Sequence, residues 1–153
     1  MIVLDTNVLS ELLRPEPSPA VVAWVRGQPA SQLYTTAITQ AEIMYGVVCL
    51  PPGRRRQALA EAVEGIFRED FRGRVLPFDS AAARAYAEIV AHRRRLGRPI
   101  SQFDAQIAAI CRSRSAQLAT RNVCDFVDTG IGVLPSRLQP ARPTAPQALG
   151  PAQ

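Results

Sequence analysis

Short apolar runs alternate with longer helical patterns along most of this chain. The runs have the length of buried strands and end at polar or proline-containing turns, as strands of a central sheet do. The predicted strands are residues 1–4, 33–35, 74–78 and 117–119, with 132–134 as a candidate edge strand. Because helical stretches separate these strands, the pattern predicts an α/β fold with one central parallel β-sheet flanked by helices on both faces.

The helical stretches have apolar residues three or four positions apart and recognisable beginnings and ends. We expect Trp24 to be buried by its helix, and Asp79 to cap a later helix with no partner beside it. The predicted helices are residues 8–13, 20–26, 38–50, 54–71, 80–96 and a last one that begins at Ser101.

Length and composition predict one domain followed by a tail. A chain of 153 residues is close to the usual size of a single domain. From residue 139 the sequence is rich in Pro, Ala and Gln and has almost no charge, which is typical of disorder. We therefore expect a folded domain at 1–138 and a disordered tail at 139–153.

The sequence has no sign of secretion or membrane insertion. Its apolar runs are shorter than the ~20 residues of a membrane-spanning helix, and the N-terminal residues lack the pattern of a signal peptide. Cys49, Cys111 and Cys124 are too widely spaced for a disulfide framework or a zinc cluster. We expect a cytoplasmic protein with incidental thiols and no membrane partner.

All eighteen basic residues are arginine, and the chain has no lysine. This excludes P-loop phosphate binding and Schiff-base chemistry, and it argues strongly against phosphatase or phosphoacceptor sites, which place a lysine beside the phosphate. The formal net charge of +5 favours an anionic partner, most commonly nucleic acid. An arginine-only composition is also typical of a biased genome, so charge alone does not decide the function.

Four acidic residues occupy matching places in the predicted sheet: Asp5, Glu42, Asp104 and Asp125. Each lies beyond the carboxyl end of a strand or one turn into a neighbouring helix, where open parallel sheets bind ligands. Four carboxylates would repel one another unless a divalent cation lay between them, and oxygen ligands suit Mg²⁺ or Mn²⁺. Without these four, nine acids face eighteen arginines, so the rest of the chain carries +9. An acidic, metal-filled cleft in a basic surface predicts phosphodiester cleavage.

Helix capping is an alternative explanation for each of these acids. The segments 39–42 and 101–104 both have the spacing of a capping box. Asp5 could cap the first helix, and Asp125 could favour the positive end of a short one. Capping does not require all four acids to face one cleft, so their common placement favours the functional interpretation.

Four stretches carry a recognisable set of motifs, spread over about 125 residues in a fixed order. They are Ile2-Val3-Leu4-Asp5-Thr6-Asn7, Ala41-Glu42 to Tyr45-Gly46, Asp104-Ala105-Gln106-Ile107-Ala108-Ala109, and Ala119-Thr120-Arg121-Asn122 with Asp125-Phe126. In these stretches the chain resembles the PIN-domain family, and within it the VapC-type toxins of bacterial toxin–antitoxin pairs. The resemblance implies a Mg²⁺- or Mn²⁺-dependent ribonuclease that leaves a 3′-hydroxyl and a 5′-phosphate. Cys124 is a departure, because many relatives have a basic or polar residue there.

The resemblance also implies roles for individual residues and partners. Carried over by position, the acidic catalytic residues would be Asp5, Glu42, Asp104 and Asp125, of which Asp5 and Asp104 hold the metal. The polar neighbours that orient them would be Thr6, Asn7, Thr120 and Asn122. The implied partners are an RNA substrate, a second copy in a homodimer and a small antitoxin that blocks the cleft. Arg121 is either a contact to the RNA backbone or a structural arginine. The alternative function is a non-catalytic RNA- or partner-binding module on the same fold.

Overall fold

Five short parallel strands form one sheet within the described part of the chain: β1 (Ile2–Leu4), β2 (Leu33–Thr36), β3 (Val75–Leu76), β4 (Gln117–Ala119) and β5 (Val133–Leu134). This is a computed structural model that describes residues 1–134. The strand order is β3-β2-β1-β4-β5, and β1 is central because Ile2 pairs with both Leu33 and Gln117. The predicted α/β fold with a parallel sheet is confirmed.

Within residues 1–134, six α-helices connect and cover the strands: α1 (Thr6–Leu12), α2 (Pro19–Arg26), α3 (Ala37–Val48), α4 (Arg54–Gly65), α5 (Ser80–Arg95) and α6 (Gln102–Ser113). Shorter helical turns lie at Ala30–Gln32 and Val123–Phe126, both 3-10 helices, and at Ile66–Asp70, a π-helix. The helices and strands predicted from the sequence are therefore present, and the structure differs from the prediction at two places.

The first difference is in the long helix predicted at 54–71, which changes from α to π geometry after Gly65. The amide of Phe71 donates to the carbonyl of Ile66 at 2.9 Å, a step of five residues instead of four. With this wider turn both Phe67 and Phe71 are buried in the hydrophobic core. Apolar spacing alone did not reveal the change, because Val63, Phe67 and Phe71 lie four positions apart, a spacing that suits both an α turn and the wider π turn.

The second difference is the third strand, predicted at 74–78 and observed at Val75–Leu76. Pro77 ends the strand because proline has no N–H to donate to a neighbouring strand. Arg74 contributes one sheet-like bond, since its carbonyl accepts from the Thr35 amide at 3.0 Å. The strand is therefore short, but it lies where the sequence placed it.

Hydrophobic clusters cover both faces of the described sheet. Ile2 and Leu4 belong to one cluster and Val3 to the other, as the alternation of side chains along a strand requires. Residues of α1 to α4 complete the first cluster, and residues of α5 and α6 complete the second. The prediction of a buried Trp24 was wrong, because Val21 fills the inward position of α2 and Trp24 is half-buried at the cluster's edge.

The predicted boundary at residue 138 and the predicted tail at 139–153 lie outside the described residues, so both stay predictions. The three cysteines are free, as expected; Cys111 is buried, while Cys49 and Cys124 are exposed. No helix in the range 1–134 is long and apolar enough to cross a membrane.

Candidate active site

Asp5 lies at the carboxyl end of the central strand and is almost fully buried, with 4% of its surface exposed. It caps α1, because its Oδ1 oxygen accepts from the Thr6 amide at 2.8 Å. Its other oxygen, Oδ2, accepts from the Thr120 hydroxyl at 2.7 Å, which joins β1 to the turn after β4. Capping therefore explains one oxygen of this carboxylate, and the second belongs to a contact between distant parts of the chain.

The environment of Asp5 raises its pKa from 3.8 to about 6. Burial is the largest cause, because removal from water disfavours the charged form. The hydrogen bonds from Thr120 and Thr6 lower the pKa, and the negative charges of Asp104 and Glu42 raise it. Three of the four predicted acids are thus close enough to affect one another electrostatically.

Glu42 does not take part in the capping box predicted for 39–42. Helix α3 is capped by Thr36, whose Oγ1 accepts from the Thr39 amide at 3.0 Å. The helix begins one turn earlier than the capping-box spacing suggested. The Glu42 carboxylate therefore does not cap the helix, and its Oε2 oxygen accepts a hydrogen bond from the Thr6 hydroxyl. Burial raises the pKa of Glu42 and the charge of Asp104 raises it further, while the Thr6 hydroxyl lowers it.

Asp104 occupies the first turn of α6 and has a hydroxyl partner of its own. The Ser101 Oγ accepts from the Asp104 amide at 3.2 Å and donates to the Asp104 Oδ2 oxygen at 2.7 Å. The predicted cap at Ser101 is therefore confirmed. Asp5, Glu42 and Asp104 therefore each accept one hydrogen bond from a hydroxyl group.

Asp125 stands apart from these three acids. It lies in the 3-10 helix Val123–Phe126 and is exposed, and its backbone carbonyl accepts from the Arg93 side chain at 3.0 Å. In the described part of the chain no contact joins its carboxylate to the other acids. Within the same residues, no group of three His, Cys, Asp or Glu side chains is close enough to hold a metal ion.

The predicted polar neighbours form a small network around the turn after β4. Besides holding Asp5, the Thr120 oxygen accepts from the Asn7 side chain at 3.1 Å and from the Asn122 amide at 3.0 Å. The Asn7 side-chain oxygen accepts from the Arg121 amide at 3.1 Å. Asn122 thus contributes its backbone, and Thr6, Asn7 and Thr120 contribute their side chains.

The structure also reveals a buried acid that sequence reasoning missed. Glu11 is 5% exposed and accepts from Arg121 at 2.7 Å, from Arg14 at 3.2 Å and from the Ser18 amide at 2.9 Å. The bond from the Ser18 amide is the largest cause that lowers the pKa of Glu11. A signal was available, since Glu11 follows Asn7 by four positions on α1 and therefore shares its helix face.

One further expectation about acids was wrong. Asp79 caps α5 as predicted, since it accepts from the Ala82 amide at 3.0 Å. However, it is not without a partner, because Arg114 donates to its Oδ2 oxygen at 3.1 Å. Arg114 follows the end of α6, which packs against α5, and only the fold brings the two together.

The PIN domain family profile matches residues 2–128 of this chain. The chain belongs to the PIN domain family. Among curated proteins, this PIN domain is 41% identical over 134 residues to VapC ribonuclease Y4jK of Sinorhizobium fredii, covering 88% of this chain and 96% of that protein. It is 40% identical over 133 residues to Toxin FitB of Neisseria gonorrhoeae, covering 87% of this chain and 96% of that protein.

Solved structures agree with this assignment. The crystal structure of FitAcB from Neisseria gonorrhoeae matches this PIN domain with a TM-score of 0.83 and 39% identity, covering 88% of this chain and 97% of that chain. The match spans nearly all of the described residues, so the order of strands and helices that carries the acids is shared.

The donor set of this PIN domain fits a hard divalent cation. Asp5, Glu42 and Asp104 offer only carboxylate oxygens, and repulsion from Asp104 and Glu42 adds to the larger effect of burial in raising the pKa of Asp5. A nearby cation would remove this repulsion and favour the charged forms. Mg²⁺ is commonly held by one or two carboxylates together with water, so the site does not need three acids in direct contact.

Proposed function

We propose that this PIN domain is a metal-dependent endoribonuclease that acts as the toxin of a toxin–antitoxin pair and hydrolyses RNA phosphodiester bonds with Mg²⁺ or Mn²⁺. The observation that carries the proposal is the group formed by Asp5, Glu42 and Asp104, in which a separate hydroxyl holds each carboxylate and burial raises the pKa of Asp5. Nuclease activity is supported by the Sinorhizobium relative, which is called a ribonuclease. Metal-dependent hydrolysis is typical of PIN-domain nucleases of the VapC type.

In this proposal Asp5 and Asp104 hold the metal, which when bound polarises the scissile phosphate and lowers the pKa of water. Thr120 and Ser101 each fix one oxygen of these two acids, so the other oxygens keep a defined direction. Glu42 has a raised pKa and one oxygen without a hydroxyl partner, which suits it to accept a proton from the attacking water. Asp125, exposed on the 3-10 helix after β4, is the fourth acid of the proposed catalytic set.

The proposed substrate follows from charge. Apart from the four acids of the site, eighteen arginines face nine acids, and arginine contacts to phosphates supply affinity for RNA of any sequence. Arg121 is not part of this surface in our proposal, because its guanidinium already bonds to buried Glu11. The exposed arginines at 54–55 and 94–95 are better placed to meet a polyanion.

The proposed partners are a small antitoxin and a second copy of this chain, in the cytoplasm. The gonococcal relative is called a toxin, which supports an antitoxin partner. Met44, Tyr45 and Val48 form an exposed apolar patch on α3, which supports an interface with another chain.

The decisive experiment is cleavage of a panel of RNAs by the purified chain with Mn²⁺, with Mg²⁺ and with EDTA. Asp104→Asn tests the site, and Asp70→Asn, the same exchange at an exposed acid outside it, is the matched control. We expect cleavage that requires metal, is lost in Asp104→Asn and is retained in Asp70→Asn. Equal cleavage by wild type and Asp104→Asn would overturn the proposal.

The second candidate is a binding module without catalysis, which the separation of Asp125 from the other acids favours. Calorimetry with Mn²⁺ distinguishes the two when no cleavage is seen. Binding that disappears in Asp104→Asn supports a metal site with a narrow RNA substrate, whereas no binding by the wild type supports the module.

A further inference from the structure

Arg93 is a buried arginine whose charge has no carboxylate partner in the described part of the chain. It lies in the last turn of α5 and is 6% exposed. Its guanidinium donates to three backbone carbonyls instead: Nε to Arg98 at 2.6 Å, and Nη1 to Asp125 at 3.0 Å and to Val127. A buried charge loses its hydration, so these three bonds are what make its burial possible.

The three carbonyls belong to two different segments. Arg98 lies in the loop that leads from α5 to Ser101, the residue that caps α6 and holds Asp104. Asp125 and Val127 lie at the end of the 3-10 helix that follows β4. One guanidinium therefore connects the segment before Asp104 with the segment that carries Asp125.

The 3-10 helix has two other anchors at its end, since the Thr129 hydroxyl donates to the Phe126 carbonyl at 2.6 Å and the Phe126 side chain is buried. Neither of them binds the Asp125 carbonyl, which Arg93 holds. No side chain caps its N-terminus, and a single short turn contributes few hydrogen bonds of its own. A cation at the C-terminal carbonyls of a helix satisfies acceptors that have no partner within it. Arginine suits this position better than lysine, because its planar fork directs several N–H groups along fixed directions.

We propose that Arg93 is a positioning residue for the nuclease reaction, which holds the backbone of Asp125 and so limits where the exposed Asp125 carboxylate can lie when RNA is bound. This inference rests on the proposed function, since it gives Arg93 its effect through an acid of the proposed site. Arg93 does not touch RNA or metal in this role.

A second link between the same segments offers a matched control. Arg98 donates to the Asp128 carboxylate at 3.5 Å, and both side chains are exposed. Exposed ion pairs of this length contribute little to stability. Asp128→Asn should therefore leave cleavage within about twofold of wild type, whereas Arg93 variants should not.

The test is a double-mutant cycle on RNA cleavage in Mn²⁺. We expect Arg93→Met to lower kcat by about tenfold or more with little change in KM, because a displaced catalytic group costs rate without weakening RNA binding. In an Asp125→Asn background the same change should cost less than about twofold, while in a Glu42→Gln background the full loss should remain. An equal loss in both backgrounds, or no loss in wild type, would overturn the inference.

Arg93→Lys keeps the positive charge and replaces Arg93→Met in the test if Arg93→Met does not fold. Hydrogen exchange then gives a readout that is independent of activity. Amides at 122–128 should exchange faster in Arg93→Lys than in wild type, while amides in α6 stay unchanged; equal exchange at 122–128 would overturn the inference.

Failure of the proposed function has a different signature. In that case Asp104→Asn cleaves RNA as well as wild type, whatever Arg93 does. If Asp104→Asn is inactive and the losses caused by Arg93→Met and Asp125→Asn simply add, the ribonuclease proposal stands and only the proposed role of Arg93 is wrong.

Discussion

The Thr120 hydroxyl donates a 2.7 Å hydrogen bond to Oδ2 of Asp5, although 115 positions separate the two residues in the chain. This bond lowers the pKa of Asp5, against the larger effect of burial, which raises it to about 6. The pair therefore decides how much of the Asp5 carboxylate is charged near neutral pH, and hence how well it can hold a cation.

Removing this hydroxyl should raise the pKa of Asp5 further and move the acidic limb of the pH–rate profile toward higher pH. For Thr120→Val we expect RNA cleavage at about pH 6 to fall by roughly five- to tenfold, with a smaller loss at about pH 8. The measurement is kcat/KM as a function of pH. Thr120→Ser keeps the hydroxyl and should retain the wild-type profile; an unshifted profile in Thr120→Val would contradict the prediction.

The stability of the metal-free protein should depend on pH through Asp5. Its pKa is about 6 in the folded state and 3.8 in the reference state, so the folded state binds the proton first. The resulting stabilisation is fully present below 3.8 and is lost as pH rises through about 6.

We expect this contribution to reach roughly 3 kcal/mol, since one pKa unit corresponds to about 1.4 kcal/mol. Urea denaturation in EDTA across this pH range measures it, with Asp5→Asn as the comparison because asparagine also caps a helix. The free energy of unfolding should rise toward acid pH in wild type relative to Asp5→Asn. Parallel curves for the two proteins would show that Asp5 titrates as it does in the unfolded chain.

The Thr6 hydroxyl should support metal binding through Glu42. It donates to the Oε2 oxygen of Glu42 and lowers the pKa of that acid, so its loss leaves Glu42 more protonated. We expect Thr6→Val to weaken Mn²⁺ binding by about tenfold near pH 6, and less at higher pH, in calorimetry. Thr6→Ser is the control, and equal affinities in the two variants would count against this coupling.

We expect Arg121 to stabilise the fold without contributing to the affinity for RNA. Its guanidinium donates to buried Glu11, whose negative charge balances that of the arginine and holds it away from a phosphate. We expect Arg121→Met to lower Tm by a few degrees and to leave the salt dependence of KM for RNA unchanged. If the slope of log KM against log salt concentration instead falls by about one, Arg121→Met has lost a contact to an RNA phosphate.

Features that depend on local sequence were predicted well. The first strand as a short buried run, the helix beginnings at Asp79 and Ser101, and a parallel sheet whose strands are separated by helices all follow from short-range patterns. The errors at Thr39 and in the long helix at 54–71 were also local. Thr36 and Thr39, three positions apart, can both cap α3, and Val63, Phe67 and Phe71 have a spacing of four that suits an α or a π turn.

The partners of the acids could not be predicted in this way. The sequence predicted that Asp5, Glu42, Asp104 and Asp125 share one edge of the sheet, because each follows a strand or begins a neighbouring helix. In the structure the charges of Asp5, Glu42 and Asp104 affect one another, and Asp125 lies outside this group. Which hydroxyl holds Asp5 and which holds Glu42, and the burial of Glu11 and Arg93, depend on contacts between residues about 30 to 115 positions apart. Such contacts arise only when the helices pack on the sheet, since burial turns an ordinary polar side chain into one that must find a partner.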